Sequence, residues 1–523
     1  MNRTFRKMLV AMAALLFLGL AVAQTTLTIG RVGDVSDMNP FRQANNLTAQ
    51  VTYQIHEGLM RYGPDLELVP MLATSWELQP DGRTWRFFLR EGVTFHTGNP
   101  FNAEVVKWNF ETMLDPDQPG VAAGLLTAFE SLNVVDEYTL DVTLNEPNFI
   151  FLNILGAALF MIVDMEHYMA VGEANYGQQP SGTGAFQFES WEPGERVVVE
   201  RNADYWGEVG AEVDRIVFQA IPDDSARALA LLTGEIDMAF GLPADQVGIV
   251  ERTPGLDVIS TATFRTLFLE SNIQHPVLTD AVRNAIAHTI NRDQISAVIG
   301  EAGTPAYGHG PREAVGFYDH TLPYDPEEAR NLLEEDGWTL GGDGIRSRDG
   351  ERLSINVLTR GVTVGEIDAL QVVQAQLAAV GIELTLERVD TAAFVSALNN
   401  GGLRWKNEGL PAETEMWTTG SGIRTGEVGY LQNRPLCFQT TRAWYGIPCT
   451  PEYDEAFALS QSPAPLEERL EGYRIMGEYN KLWQHRHPLF HVQSNIGVKE
   501  SVEGFVVDPQ DSLDLRGVRI VGN

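Results

Sequence analysis

Runs that alternate apolar and polar residues, and runs that repeat them every three to four positions, follow one another along this chain. Together they predict a mixed α/β protein. Thr84–Arg90 (TWRFFLR) and Thr139–Leu144 (TLDVTL) alternate as half-buried strands do, and Thr26–Gly30 reads as a first strand. Between the two alternating runs, Val106, Phe110, Met113 and Leu114 recur on one helical face behind Asn102, a residue able to cap that helix. Asp223-Asp224-Ser225 opens another helix that Gly234 ends, with a strand over Glu235–Phe240. Asp325-Pro326-Glu327-Glu328 is a full helix start, with a capping Asp, Pro at the first helical position and Glu at the third; Gly337 stops that helix. Ser354–Thr359, a helix carrying Ile367, Leu370, Val373, Leu377 and Val380, and Ile382–Leu386 form a β-α-β unit, so part of the sheet is parallel. Asp343-Gly344 and Asp349-Gly350 read as hairpin turns. No period of about 20 to 50 residues is visible, which excludes solenoids and propellers.

Composition narrows the class. Of 523 residues 44% are apolar, too many for a disordered chain. Asp and Glu number 71 against 37 Lys and Arg, a net charge of -34, which argues against nucleic acid and anionic membrane surfaces as partners. Arg3, Arg6 and Lys7 precede an apolar run from Met8 to Val22 that closes on Ala21-Val22-Ala23, the pattern of a cleavable secretory signal peptide over residues 1–23. An extracytoplasmic location follows, and the remaining length suggests about three units. Cys437 and Cys449 are the two cysteines. In an oxidising compartment they most simply form one disulfide; a thiol nucleophile or a metal pair are the alternatives, although C-x11-C is not a zinc spacing.

Catalytic signatures are absent. There is no G-x-x-x-x-G-K-S/T, no G-x-S-x-G and no H-E-x-x-H, and His56-Glu57 lacks its second His. Ser181-Gly-Thr-Gly184 is a Gly-rich turn without the Lys of a phosphate loop. His485, His487 and His491 form the one metal-like grouping. His487-Pro488 breaks the preceding helix, and Leu489–Val492 reads as a strand on which His487 and His491 share a face. No cofactor and no metal are expected, and the chain reads as a binder, not an enzyme.

The segments that remain resemble the solute-binding proteins of ABC importers, in the peptide/nickel-binding family. Tyr62–Trp76 (YGPDLELVPMLATSW), Arg90–His96 (REGVTFH) and Asn102-Ala-Glu104 are similar to the family signature; Gly182–Phe186, Trp191–Gly194, Arg201–Gly207, Ile221–Arg227, Gly234–Asp237, Val282–Ile286 and Tyr324–Pro326 follow in the family's order. The resemblance implies an α/β, two-lobed periplasmic-binding-protein fold with an extra subdomain inserted in the first lobe. It implies residues 24–66, 181–272 and 495–523 for lobe I, 67–180 for the insert and 273–494 for lobe II. It further implies a monomer that hands its ligand to a membrane permease.

Within that family the dipeptide-binding branch is the nearer, and di- or oligopeptides are the expected ligands; oligosaccharides, opines and metal chelates are the alternatives, and a secreted hydrolase is the rival from another class. In that branch a carboxylate three residues after a Trp holds the peptide amine, and an Arg holds its carboxylate. Glu408 after Trp405 and Arg360 after strand 354–359 stand at those places. Gly409 stands at the spacing of the nickel branch's Tyr. Cys437 and Cys449 again match the dipeptide branch, where such a disulfide closes a loop. Trp405, Trp417, Tyr430 and Trp444 are expected to supply aromatic cleft walls, with Gln54 facing them from the other lobe.

Overall fold

A computed structural model describes residues 24–42, 46–63, 67–115, 129–145, 148, 151–156, 160–208, 210, 212–361, 363–390, 393–394, 396–398, 414–423, 427–437, 442–462, 464–507 and 512–522. The proposed signal peptide, Trp405 and Glu408 lie outside them, and of Tyr430 the backbone alone is described.

The chain opens with β1 (Thr26–Arg31) and α1 (Asn46–Ile55). A separate antiparallel sheet follows, built from β2 (Ala73–Leu78), β3 (Thr84–Leu89), β4 (Phe129–Asp136) and β5 (Thr139–Leu144) in the order β2-β3-β5-β4. It packs on α2 (Ala103–Met113), and Phe87, Val106, Phe110 and Leu140 lie in the core between them. The alternation of TWRFFLR and TLDVTL thus places every second residue against α2. Asn102 caps α2 as its position demands, its side chain accepting from the Val105 N–H at 3.1 Å.

The main sheet carries the rest. Its first half comprises β1, β6 (Phe186–Glu192), β7 (Arg196–Arg201), β8 (Arg215–Ala220) and, after helix α3 (Asp224–Leu232), β9 (Met238–Phe240). Then comes the long β10 (Leu256–Ser271). Its second half comprises β11 (Ser354–Thr359), α4 (Glu366–Ala378), β12 (Glu383–Arg388) and β13 (Met416–Gly422), followed by the short helices α5 (Gly429–Gln432) and α6 (Arg442–Tyr445), the long α7 (Leu466–Trp483) and β14 (Arg486–Lys499); further helices lie at Asp280–Thr289, Arg292–Ile299, Pro326–Glu335 and Pro451–Ser460. The strand order is β12-β11-β13-β10-β14-β9-β1-β8-β7-β6, with Gly303–Pro305 added beside β14. β11 and β12 run parallel, as the β-α-β pattern predicts.

The remaining local expectations have direct causes. Asp223 accepts from Ala226 N at 2.7 Å, and Asp325 accepts from both Glu327 N and Glu328 N. Asp349 and Gly350 take φ of 54° and 84°, the pair of positive values that a two-residue hairpin turn requires. The glycines of Ser181–Gly184 serve close packing: a side chain at Gly182 or Gly184 would start 2.1 Å from the Ile55 carbonyl or 2.3 Å from that of Gln54. Helix α4 lays Leu370, Val373 and Leu377 on the face of β11 that carries Ile355 and Val357. The other face meets α6 and α7 through Phe268, Trp417, Tyr445 and Met476.

Candidate functional site

Two strands run through both halves of the main sheet. The first residues of β10 pair with the last of β14, beside β9 and β1; the last residues of β10 pair with β13. In the first half β1 and β9 end at Arg31 and Phe240, pointing along β10 toward the middle of the sheet. In the second half β11 and β13 end at Thr359 and Gly422, pointing back toward the same middle. Carboxyl ends of strands from both sides therefore converge over the central stretch of β10 and β14, where α/β sheets place their ligands. In that stretch the β10–β14 register shifts between Ala262 and Thr266, a bulge that bends the strand pair.

The loop after β11 is tied down by one buried carboxylate. Glu366, at the start of α4, accepts from Thr359 Oγ1 and Thr418 Oγ1 at 2.5 Å each and from Thr363 N at 2.9 Å. It locks the end of β11 and the start of β13 to the helix and fixes where Arg360 leaves the sheet. Arg360 is partly exposed, with its guanidinium 5.0 Å from the Phe394 ring and its carbonyl accepting from Arg388.

A second carboxylate organises the opposite face. Glu270 on β10 is 0% exposed. Its Oε1 accepts from Thr419 Oγ1 and Arg486 Nε, both at 2.8 Å; its Oε2 accepts from Trp417 Nε1 at 2.7 Å and Tyr445 OH at 2.9 Å. Arg434, in the loop after α5, lies 3.7 Å from the same carboxylate. Burial alone would raise the Glu270 pKa, but Arg486, Arg434 and the hydroxyl donors hold it below the usual carboxylate range. One side chain thus joins β10, β13, β14, α6 and the loop after α5.

The sequence-predicted residues fall into three groups. Arg360 stands at the convergence of strand ends, and Trp444, half-buried on α6, packs against the core that also holds Leu358 and Phe394. Trp417 is placed instead wholly within the core, its indole N–H engaged by Glu270, because its position on β13 points inward. Gln54 is likewise engaged elsewhere: its amide donates to the carbonyls of Gln50 and Leu513 and accepts from Leu515 N, tying α1 to the C-terminal segment. Cys437 and Cys449 are joined in a disulfide, and Cys437 N donates to Asp454.

His485, His487 and His491 are all buried. His485 lies between the Tyr445 and Trp483 rings, and His491 Nδ1 meets Thr266 Oγ1 at 2.9 Å. Burial, then nearby cations, pushes His485 well below its ordinary pKa, His487 down to about 3 and His491 to about 4. Among the described residues no group of three or more His, Cys, Asp or Glu is placed to hold a metal ion.

Glu270, Arg434 and Arg486 escaped the sequence reading. Their signal was a single acid inside the apolar run Leu267-Phe-Leu-Glu-Ser271 and a single cation in the buried run His485–Val492. A lone charge in a strand buried on both faces requires a partner.

Residues 67–422 match the family described as bacterial extracellular solute-binding proteins, family 5 Middle. The chain belongs to this solute-binding family. Among its relatives is the glutathione-binding protein GsiB of Pectobacterium atrosepticum, 28% identical over 399 residues, covering 76% of this chain and 74% of that one. GsiB of Salmonella typhi is 28% identical over 417 residues, covering 79% and 78%. Of solved structures, NikA from Brucella suis in complex with Fe(III)-EDTA superposes with a TM-score of 0.85 at 24% identity, over 95% of this chain and 99% of that one. The periplasmic binding protein DppA from Helicobacter pylori, in complex with the peptide STSA, gives 0.77 at 26% identity over 95% and 98%. The fold shared with these structures is two-lobed, and in this chain β10 and β14 run through both halves of the main sheet.

Proposed function

We propose that this chain is the extracytoplasmic receptor of an ABC importer, that it closes its two lobes on a short peptide and that it delivers the peptide to a membrane permease. The observation that carries this reading is the convergence of strand ends from both lobes over a joint of two strands, with Arg360 beside it. Peptide as the ligand class is supported by the glutathione-binding and peptide-bound relatives. Arg360 takes the ligand carboxylate through its planar fork, Glu408 takes the ammonium group, and Trp405, Tyr430 and Trp444 wall the cleft. Residues 1–23 direct export and are removed. For the lobes we take 24–66, 181–272 and 495–523 as lobe I, 67–180 as the insert and 273–494 as lobe II, except that the second half of β10, paired with β13, goes with lobe II; the last border falls inside β14. The mature chain acts as a monomer without catalysis.

Glutathione, a set of dipeptides and a tetrapeptide are the first probes for thermal shift and calorimetry. At a hundredfold excess over Kd, binding stabilises the folded state by about 2.7 kcal/mol. A rise in Tm with the peptide recovered intact supports the reading. Stabilisation by a neutral oligosaccharide and by no peptide would overturn it.

A further inference from the structure

We infer that Glu366 is a positioning residue for ligand binding: it holds Arg360 ready for a carboxylate, and through it the site prefers a peptide with a free C-terminus over one whose C-terminus is amidated. This rests on the peptide-receptor reading above. Arg360 follows β11 directly, and its guanidinium makes no hydrogen bond among the described residues. It lies over the ring of Phe394, itself 4% exposed, at 5.0 Å from the ring centre. An aromatic ring thus backs one face, while the N–H groups, which lie in the guanidinium plane, are not taken up by any described residue.

The backbone on both sides of this side chain is what the fold holds. Thr359 Oγ1 accepts from Gly361 N at 3.1 Å and donates to Glu366 Oε1 at 2.5 Å. Thr418 on β13 donates to the same oxygen at 2.5 Å, and Oε2 accepts from Thr363 N at 2.9 Å. The Arg360 carbonyl accepts from Arg388 Nε at 3.2 Å. The residue before Arg360 and the residue after it are therefore tied to one carboxylate, 3% exposed. Gly361 makes the tie matter. Its φ of 63° is one that glycine adopts readily and other residues seldom, and a side chain there would begin 3.0 Å from Arg388 Nε. Left unpinned, a glycine is the freest joint of a loop, and an arginine beside it would have to be ordered anew by each ligand. Glu366 is the first residue of α4, where the helix dipole favours a negative charge. Among the described residues no Lys or Arg pairs with it, so its oxygens serve this loop and β13 alone.

The test uses di-, tri- and tetra-alanine, each as the free acid and as the C-terminal amide, titrated by calorimetry into wild type, Thr359→Val, Glu366→Ala, Glu366→Gln and Arg360→Ala. Thr359→Val keeps the shape of a buried strand residue and removes the one hydroxyl that joins Gly361 to Glu366, so it reports even if Glu366→Ala fails to fold. For the acid that binds wild type most tightly, Thr359→Val and Glu366→Ala should weaken binding about 5- to 30-fold, the cost of ordering one freed backbone residue. The matching amide, which offers Arg360 no carboxylate, should bind wild type more weakly and lose nothing further in either variant. Adding Thr359→Val to Arg360→Ala should likewise change nothing. Glu366→Gln should retain more affinity for the acid than Glu366→Ala, because its amide oxygen can still accept from Thr363 N while its NH2 donates to a Thr hydroxyl. Equal weakening of acid and amide would mark a structural role only. That result, wild-type affinity in Thr359→Val, or an amide that binds wild type as well as the acid, overturns the inference and leaves the peptide reading standing. If no alanine peptide binds wild type the inference falls too, and the glutathione measurement decides the peptide reading separately.

Discussion

Replacing Glu270 by Gln tests the energetics of the core between β13 and helices α6 and α7. Each carboxylate oxygen accepts two hydrogen bonds, Oε1 from Thr419 and Arg486 and Oε2 from Trp417 and Tyr445. Whichever way the amide is turned, its NH2 faces two donors, so two bonds are lost together with the charge. Arg486 is then left 1% exposed without its carboxylate. Breaking a buried pair in this way costs about 3–5 kcal/mol. The assay is guanidinium unfolding followed by tryptophan fluorescence, which Trp417 reports directly, with Glu270→Gln, Arg486→Met and the double variant compared. The double variant should recover most of the loss, because an apolar replacement removes the stranded charge. The pH dependence has a definite sign. Since the folded pKa is depressed, the contribution of Glu270 is present above the unfolded value of about 4.3 and is lost as pH falls below it. The acid limb should accordingly be shallower in the Gln variant. A loss under about 1 kcal/mol, or a double variant no more stable than Glu270→Gln, would refute this account.

Buried His320 and His487 both have pKa values pushed down to about 3, by burial first and then by Arg486 or Arg292. The unfolded chain therefore takes up protons first as pH falls below 6.5, and each should cost about 2 kcal/mol of stability at pH 5; His487→Phe should shrink the drop in Tm between pH 7.5 and 5. Reducing the Cys437–Cys449 bridge, or replacing both cysteines by Ser, should cost about 3 kcal/mol from a loop of this length, read as a lower denaturation midpoint. Arg360→Ala and Glu408→Gln should each weaken peptide binding by about 2–5 kcal/mol in calorimetry; unchanged affinity in both would rule out a zwitterion held between them.

Much of the local structure was legible because its causes are local. Asn102, Asp223 and Asp325 cap the helices they were expected to cap, and Asp349-Gly350 makes the expected turn, since each signal acts within four residues. The β-α-β unit at 354–388 followed from periodicity alone. Strand order did not, because nothing within β9 or β14 says that they lie side by side. The lengths of β10 and β14 were also hidden: both run through the two halves of the main sheet, so their surroundings change partway and no single alternation describes them. The same limit explains Trp417 and Gln54. An aromatic or an amide near the cleft in sequence can point either way, and in β13 and α1 the partners that turn them inward, Glu270 and Leu513, are far off in the chain.

The bond from Gln54 to Leu513 spans 459 residues. β1 lies beside β9, and β9 beside the last residues of β14, so the first half of the main sheet cannot be completed until nearly the whole chain has been made. Such distant pairings are slow to form, because the loop entropy must be overcome before any contact is gained. The earliest residues synthesised are thus among the last to settle. A polypeptide built this way stays threadable from its leading end for most of its synthesis, which suits passage through a narrow translocation channel before folding on the far side.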